Sequence, residues 1–201
     1  MGRSSQSKAK ENRAQIVQTA SRLFRESGVE GVSVAQIMAA NNMTVGGFYK
    51  HFDSKDALIA EACSMAFDHA LDAWEDVYNR ADAAAQDRAA SLVRQYLRNS
   101  SAKRRCPLLA FASGVSTGEV SQSGAEAYET GAKRLLDKFL DEPAGDRDDS
   151  TQSKAVDSEA LVIFAAMIGA RLLAQSVGKS PWIEAMEAAI NLAATRHRKP
   201  G

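Results

Sequence analysis

Few residues in this chain can break a helix or cross-link one, since its 201 residues include only four prolines and two cysteines. Scarce proline leaves long helices uninterrupted, and abundant alanine, the best helix former, points the same way. No sustained alternation of apolar and polar residues marks a half-buried strand. Cys63 and Cys106 lack metal-like spacing and are expected as reduced thiols in a cytoplasmic protein. Histidine is scarce too: His51, His69 and His197 have no nucleophile and carboxylate orienter nearby, and no glycine loop of the phosphate-cradling type occurs. No catalytic residue, metal ligand or cofactor is therefore expected, and the chain reads as a non-enzyme. Long apolar runs are missing as well. Residues 160–174, interrupted by Gly169 and Arg171, fall short of the roughly 20 that a membrane span needs, and the polar, basic start is unlike a secretory signal. No membrane partner is expected.

Net charge is absent only on average. Through Phe52, seven basic residues stand against three acidic ones, giving +4, and the remainder carries −4. A cationic N-terminal quarter suits a polyanionic partner, although charge alone also fits a solvated basic face. With 45% hydrophobic residues, the chain can bury one core, or a small domain joined to a larger one.

Helical spacing organises the rest. Ile16, Val17, Ala20, Leu23 and Phe24 form one stripe within residues 11–26, ended by Ser27 and Gly28. Ser33 is placed to cap a short helix whose inner face is Val34, Ile37 and Met38. Asn41 and Asn42 stop it, because asparagine tolerates the left-handed conformation of a tight turn. Thr44 then opens a helix of about two turns, to His51. Asp53 or Ser54 caps a long helix reaching about Arg80 along Leu58, Ile59, Ala62, Ala66, Trp74, Val77 and Tyr78. Helices are expected over 84–99, from Cys106-Pro107 onward, and over 128–140, with turns between Gly114 and Gly124 and a polar loop over 141–158. The last two helices, 159–177 and 182–196, carry small apolar residues on more than one face, which suits burial against a second subunit.

The segment NNMTVGGFYKHF, residues 41–52, sets two glycines before aromatic and basic residues. Two short helices joined by a tight turn have the build of a helix-turn-helix, whose second helix enters the DNA major groove. Gly46 and Gly47 each cost about 1 kcal/mol of helix propensity against alanine, and their lack of side chains suits close approach to base edges and phosphates. Lys50 supplies charge, Tyr49 and His51 supply hydrogen-bonding groups, and Phe48 and Phe52 face inward to fix the helix. Lys55, at the start of the fourth helix, lies close enough for another phosphate. Ser33 is grouped with these DNA-facing residues.

Residues 12–60, above all TVGGFYKHFDSKDAL, resemble the DNA-binding domain of the TetR family of bacterial transcriptional repressors. The resemblance implies an all-α protein: a basic arm over 1–10, a three-helix helix-turn-helix domain over 11–53, and a helical bundle for effector binding and dimerisation over 54–201. It implies phosphate contacts from Tyr49, His51 and Lys55, bases near Thr44, Val45 and Gly46, and Lys50 near the backbone; for His51, helix packing is the alternative. Arg3, Lys8 and Lys10 would add arm contacts. Asn42 stands where many members carry glycine, and Gly47 where a small hydroxyl residue or alanine is frequent, which leaves more of the reading to Thr44 and Val45. A homodimer through the last two helices would bind a pseudo-palindromic duplex and be released by a small-molecule or electrophile effector.

Effector walls are sought among Trp74, Tyr78, Tyr96, Phe111, Tyr128, Met167 and Arg171, most of which fit an ordinary core equally well. Arg171 needs a partner amid its apolar neighbours. Cys106 follows Lys103, Arg104 and Arg105 at a helix start, where cations and the helix dipole favour a thiolate, so it is a candidate for modification; Cys63 reads as packing. The rival to the repressor is a helical dimer that has lost DNA binding, against which Tyr49, Lys50, His51 and Lys55 stand intact.

Overall fold

A computed structural model describes residues 2–98, 105–140 and 157–197, with side chains from Gln6 onward. Among these residues the chain is all-α, without a strand: α1 (Gly2–Ser27), α2 (Val34–Ala40), α3 (Val45–Phe48), α4 (Lys55–Ala83), α5 (Arg88–Arg98), α6 (Pro107–Ala110), α7 (Ala112–Ser116), α8 (Gln122–Leu140), α9 (Ser158–Val177) and α10 (Pro181–Arg196).

Four expectations need correction. Helix α1 begins at Gly2, so the stretch read as an arm is helical from there on. The third helix is four residues long and passes into turns at Tyr49 rather than running to His51. Residues read only as turn-rich include the short helix α7. Helix α9 has 20 residues, and a stretch within it has a mean hydropathy of 1.8, so by length and composition it is long enough to cross a membrane. It packs against α5 and α10 on one side, where Arg171 is buried, and 28% of that stretch is buried in all. Lys103, Arg104, Asn99 and the expected loop through residue 156 lie outside the described residues.

Contacts divide the chain into two compact units, Met1–Ala70 with Ser101–Lys133, and Leu71–Ser100 with Arg134–Gly201. In the first, the α1 stripe Ile16, Val17, Ala20 and Phe24 is buried, and Phe24 meets Phe111 edge-on at 6.3 Å between ring centroids. Each such buried large apolar side chain contributes about 1.5–3 kcal/mol relative to exposure. Phe67 of α4 packs edge-on against Tyr128 and lies so close to Gly131 that a Cβ there would fall 2.2 Å from its ring. Glycine is what lets α8 come this near.

In the second unit α10 packs on α9 and α5, burying Leu92, Val93, Ile163, Met167, Ile183 and Ile190. Arg171 donates from Nη1 to the carbonyl oxygens of Tyr96 and Leu97, both at 3.5 Å. Carbonyls in a helix's last turn have no intrahelical donor, so the buried cation caps α5. The link between α4 and α5 places Ala85 at φ +49°, a left-handed conformation unusual for a residue with a side chain, while Asp87 Oδ1 accepts from Ala90 N–H at 2.6 Å and starts α5.

His197 ties the end of α10 to the start of α9, with Nδ1 2.9 Å from Glu159 and Nε2 2.9 Å from Asp157, the residue whose carboxylate caps α9. Burial pulls its pKa down, but the hydrogen bond to Glu159 and the two carboxylate charges together outweigh burial and raise it above the ordinary value. A raised folded-state pKa stabilises below the unfolded value of about 6.5 and is lost as pH rises through the folded value. In urea titrations, His197→Gln should therefore lower the midpoint at about pH 6 and leave it unchanged at about pH 9. A loss of equal size at both pH values contradicts this linkage.

Candidate nucleic-acid interface

Helix α2 begins at a reciprocal cap: the Ser33 hydroxyl accepts from Gln36 N–H at 3.2 Å, and the Gln36 side chain accepts from Ser33 N–H at 2.7 Å. Two orphan donors are thereby satisfied, which fixes where the helix starts. It ends on Asn41, whose side chain donates to the Ile37 carbonyl at 2.8 Å and pairs with the Thr19 hydroxyl of α1 at 2.9 Å. Asn42 follows at φ +57°, the left-handed conformation expected of it. Met43 N–H then returns to the Met38 carbonyl at 2.9 Å, closing the turn.

Helix α3 is held from beneath. Phe48 is fully buried and stacks on Phe52 at 5.4 Å between centroids. The Arg13 guanidinium lies 4.5 Å over the Phe52 ring, donates from Nε to the His51 carbonyl at 3.3 Å, and forks onto the Glu61 carboxylate. A planar fork satisfied on several sides is stiffer than a point cation would be. The outer face is left to solvent: Tyr49 is 68% exposed and Val45 45%, with Thr44, Gly46 and Lys50 also exposed and His51 half-buried. Thr44 occupies the N-cap position of α3, yet its hydroxyl makes no capping hydrogen bond.

Neither glycine is required by internal packing. A Cβ on Gly46 would meet nothing within 4 Å, and one on Gly47 only ordinary contacts at 3.7 Å. Lys55 is partly committed, since its Nζ donates to the Val29 carbonyl at 3.0 Å; a lysine ammonium has further protons to give. Ser33 spends its hydroxyl on the cap. The Ser54 hydroxyl accepts from Ala57 N–H at 3.1 Å, so of the two expected caps of α4 it is Ser54 that serves.

The expected effector walls fall into separate units, with Cys106, Phe111 and Tyr128 in the first and Trp74, Tyr78, Tyr96, Met167 and Arg171 in the second. Met167 and Phe111 are almost completely buried, as are Trp74 and Tyr78, and the Tyr78 hydroxyl donates to the Lys138 carbonyl at 3.3 Å. Cys106 is half-buried and precedes a helix of only four residues, too short for much dipole. Tyr128 donates to the Leu108 carbonyl at 2.9 Å, and its phenol is pushed up by burial and further by the Cys106 and Cys63 thiols. Burial pushes the Cys63 thiol up to about 12, which leaves it unreactive.

Sequence reasoning missed Arg13, Glu61 and Thr19 as supports of this surface. Arg13 and Glu61 are 48 residues apart, and no local spacing signals such a pair.

Residues 16–62 match the family described as "Bacterial regulatory proteins, tetR family". The chain is 38% identical over 66 residues to the HTH-type transcriptional regulator AcrR of Shigella flexneri, covering 33% of this chain and 31% of that protein. It is 36% identical over 53 residues to the uncharacterized HTH-type transcriptional regulator YerO of Bacillus subtilis (strain 168), covering 26% and 18%. The matched segments thus span less than a third of either relative. Among solved structures, a TetR transcriptional regulator from Chloroflexus aurantiacus superposes with a TM-score of 0.70 at 20% identity, covering 94% of this chain and 97% of that one. The reduced form of E. coli NemR gives 0.67 at 18% identity, covering 89% and 95%. At such identities the structural likeness speaks for the fold alone. The likeness to the tetR family of bacterial regulatory proteins is thus carried by residues 16–62, and beyond them it is a likeness of fold.

Proposed function

We propose that this protein is a cytoplasmic transcriptional repressor that binds a pseudo-palindromic DNA site as a homodimer and is released by a small effector. The observation that carries the reading is an exposed edge of Thr44, Val45, Gly46, Tyr49 and Lys50 over a buried Phe48, on an element whose glycines serve no internal contact. Such an edge matches a groove whose floor reads bases and whose walls are phosphates. In this reading Thr44 and Val45 meet base edges, while Tyr49, Lys50, His51 and Lys55 meet phosphates. Residues 11–53 are the DNA-reading module and 54–201 the effector and dimer module.

Dimerisation is assigned to α9 and α10, which expose Val162, Leu172, Leu173, Val177, Trp182 and Leu192. Large apolar side chains gathered on two helices are what a second copy would cover. Two copies are also what a pair of half-sites about one helical turn apart requires. An effector then acts by binding the DNA-incompetent arrangement more tightly than the competent one.

Cys106 is proposed as the point of effector attack, a thiolate adding to an electrophile such as a quinone. Its partial exposure and the adjacent Arg105 support this, and a similar structure is named as a reduced form.

Gel shifts on the DNA flanking the protein's own gene, at two salt concentrations, test the DNA reading. Lys50→Ala should weaken binding across sequences and lower the salt dependence by about one ion. Gly46→Ala should bind more weakly while unfolding up to about 1 kcal/mol later, because helix propensity improves as the groove contact is blocked. Unchanged affinity in both variants contradicts the assignment. Separately, Cys106→Ser should stay on DNA when quinone is added, whereas wild type leaves; an identical response removes Cys106 from the mechanism.

A further inference from the structure

Helices α4 and α5 contain four arginines whose surroundings differ. Arg88 lies on the Asp82 carboxylate, Nε to Oδ1 at 2.7 Å. Among the described residues Arg80, Arg94 and Arg98 make no ion pair or hydrogen bond; instead all three line one depression of about 160 Å³. The spacing explains how they converge. Val77, Arg80 and Ala81 share a face of α4, and Ser91, Arg94, Gln95 and Arg98 share a face of α5, with Gln86 of the link at the rim.

Among the described residues no carboxylate contributes to this lining. Arg94 and Arg98 stand four residues apart on a helix, where like charges repel, and Arg80 adds a third. Exposed arginines are commonly just a solvated face. Here they bound a concavity, and the hydroxyl oxygen of Ser91, one of its lining residues, is shut off from solvent with no hydrogen-bond partner among the described residues. A buried hydroxyl in that state lacks an acceptor, as the cations lack a counter-charge.

We propose that this depression binds the phosphoryl group of a small ligand, either inorganic phosphate or a phosphomonoester. A tetrahedral dianion presents acceptors in several directions, matching guanidinium forks and the glutamine amides. A carboxylate offers one charge and two oxygens, fewer than the lining can use. The volume is below the roughly 300–1,000 Å³ of pockets that enclose drug-sized ligands, so the site takes a head group and leaves any remainder outside. The proposal is independent of DNA binding through residues 44–55.

Calorimetric titration of the full chain with inorganic phosphate and with glycerol phosphate, at constant ionic strength set by chloride, tests it. Wild type should bind at least one of the two saturably, and Arg94→Gln and Arg98→Gln should each bind about tenfold or more weakly. Tighter binding of glycerol phosphate assigns the site to a phosphomonoester; tighter binding of inorganic phosphate assigns it to the free ion. In chloride alone both variants should unfold at the wild-type temperature or above it, since a repulsion is relieved. Arg94→Lys, which keeps the charge and loses the fork, should fall between wild type and Arg94→Gln. No saturable binding in wild type, equal binding in the variants, or variants that weaken duplex DNA binding without changing the phosphate titration would overturn the assignment.

Discussion

The burial of one ring, Phe48, at the end of a four-residue helix is the constraint on which the exposed face of the candidate nucleic-acid interface depends. A helix that short has almost no cooperative stability of its own. Its orientation must come from what it is anchored to: Phe52 stacked below, the Arg13 guanidinium over that ring, and Glu61 holding the guanidinium. The ion pair itself is part-exposed and contributes little energy; its worth lies in fixing geometry. With the inner face fixed, the outer face is free to be unfavourable in isolation. Exposed Tyr49 and Val45 and two glycines in a helical turn are poor choices for stability and good ones for contact.

The same division recurs elsewhere. Gly131 is demanded from inside by the Phe67 ring, whereas Gly46 is demanded by nothing inside. Arg171 is buried and spends its guanidinium on the carbonyls that end α5, whereas Arg80, Arg94 and Arg98 are exposed around a shared hollow. Residue type is therefore a weak guide to role. What separates a structural glycine or arginine from a contact residue is whether the folded subunit already satisfies it.

Much of this was legible in the sequence. The α1 stripe, the Ser33 cap, the left-handed Asn42 and the inward Phe48 and Phe52 follow from local rules of spacing and turn chemistry, and the structure places them so. The length of α1 was not legible, because residues 2–10 are polar and carry no periodic apolar signal. The early end of α3 was missed because its pattern continues to Phe52, while the backbone turns after Phe48 to seat both rings. The Arg13–Glu61 clamp and the arginine hollow depend on residues that meet only after folding or on a surface shape. That Arg171 needs a partner was legible, but not which one, because helix-end carbonyls are invisible to a reading of side chains.

The central claim is that the edge from Thr44 to Lys50 reads duplex DNA in paired half-sites. Selection of binding sites from a random duplex library by the purified full-length protein tests it most directly. The account predicts enrichment of an inverted repeat whose half-sites lie about one helical turn, or a multiple of it, apart, and loss of that enrichment when Thr44 and Val45 are both replaced by alanine. Absence of any enriched sequence, or the same inverted repeat recovered by the doubly substituted protein, would contradict it.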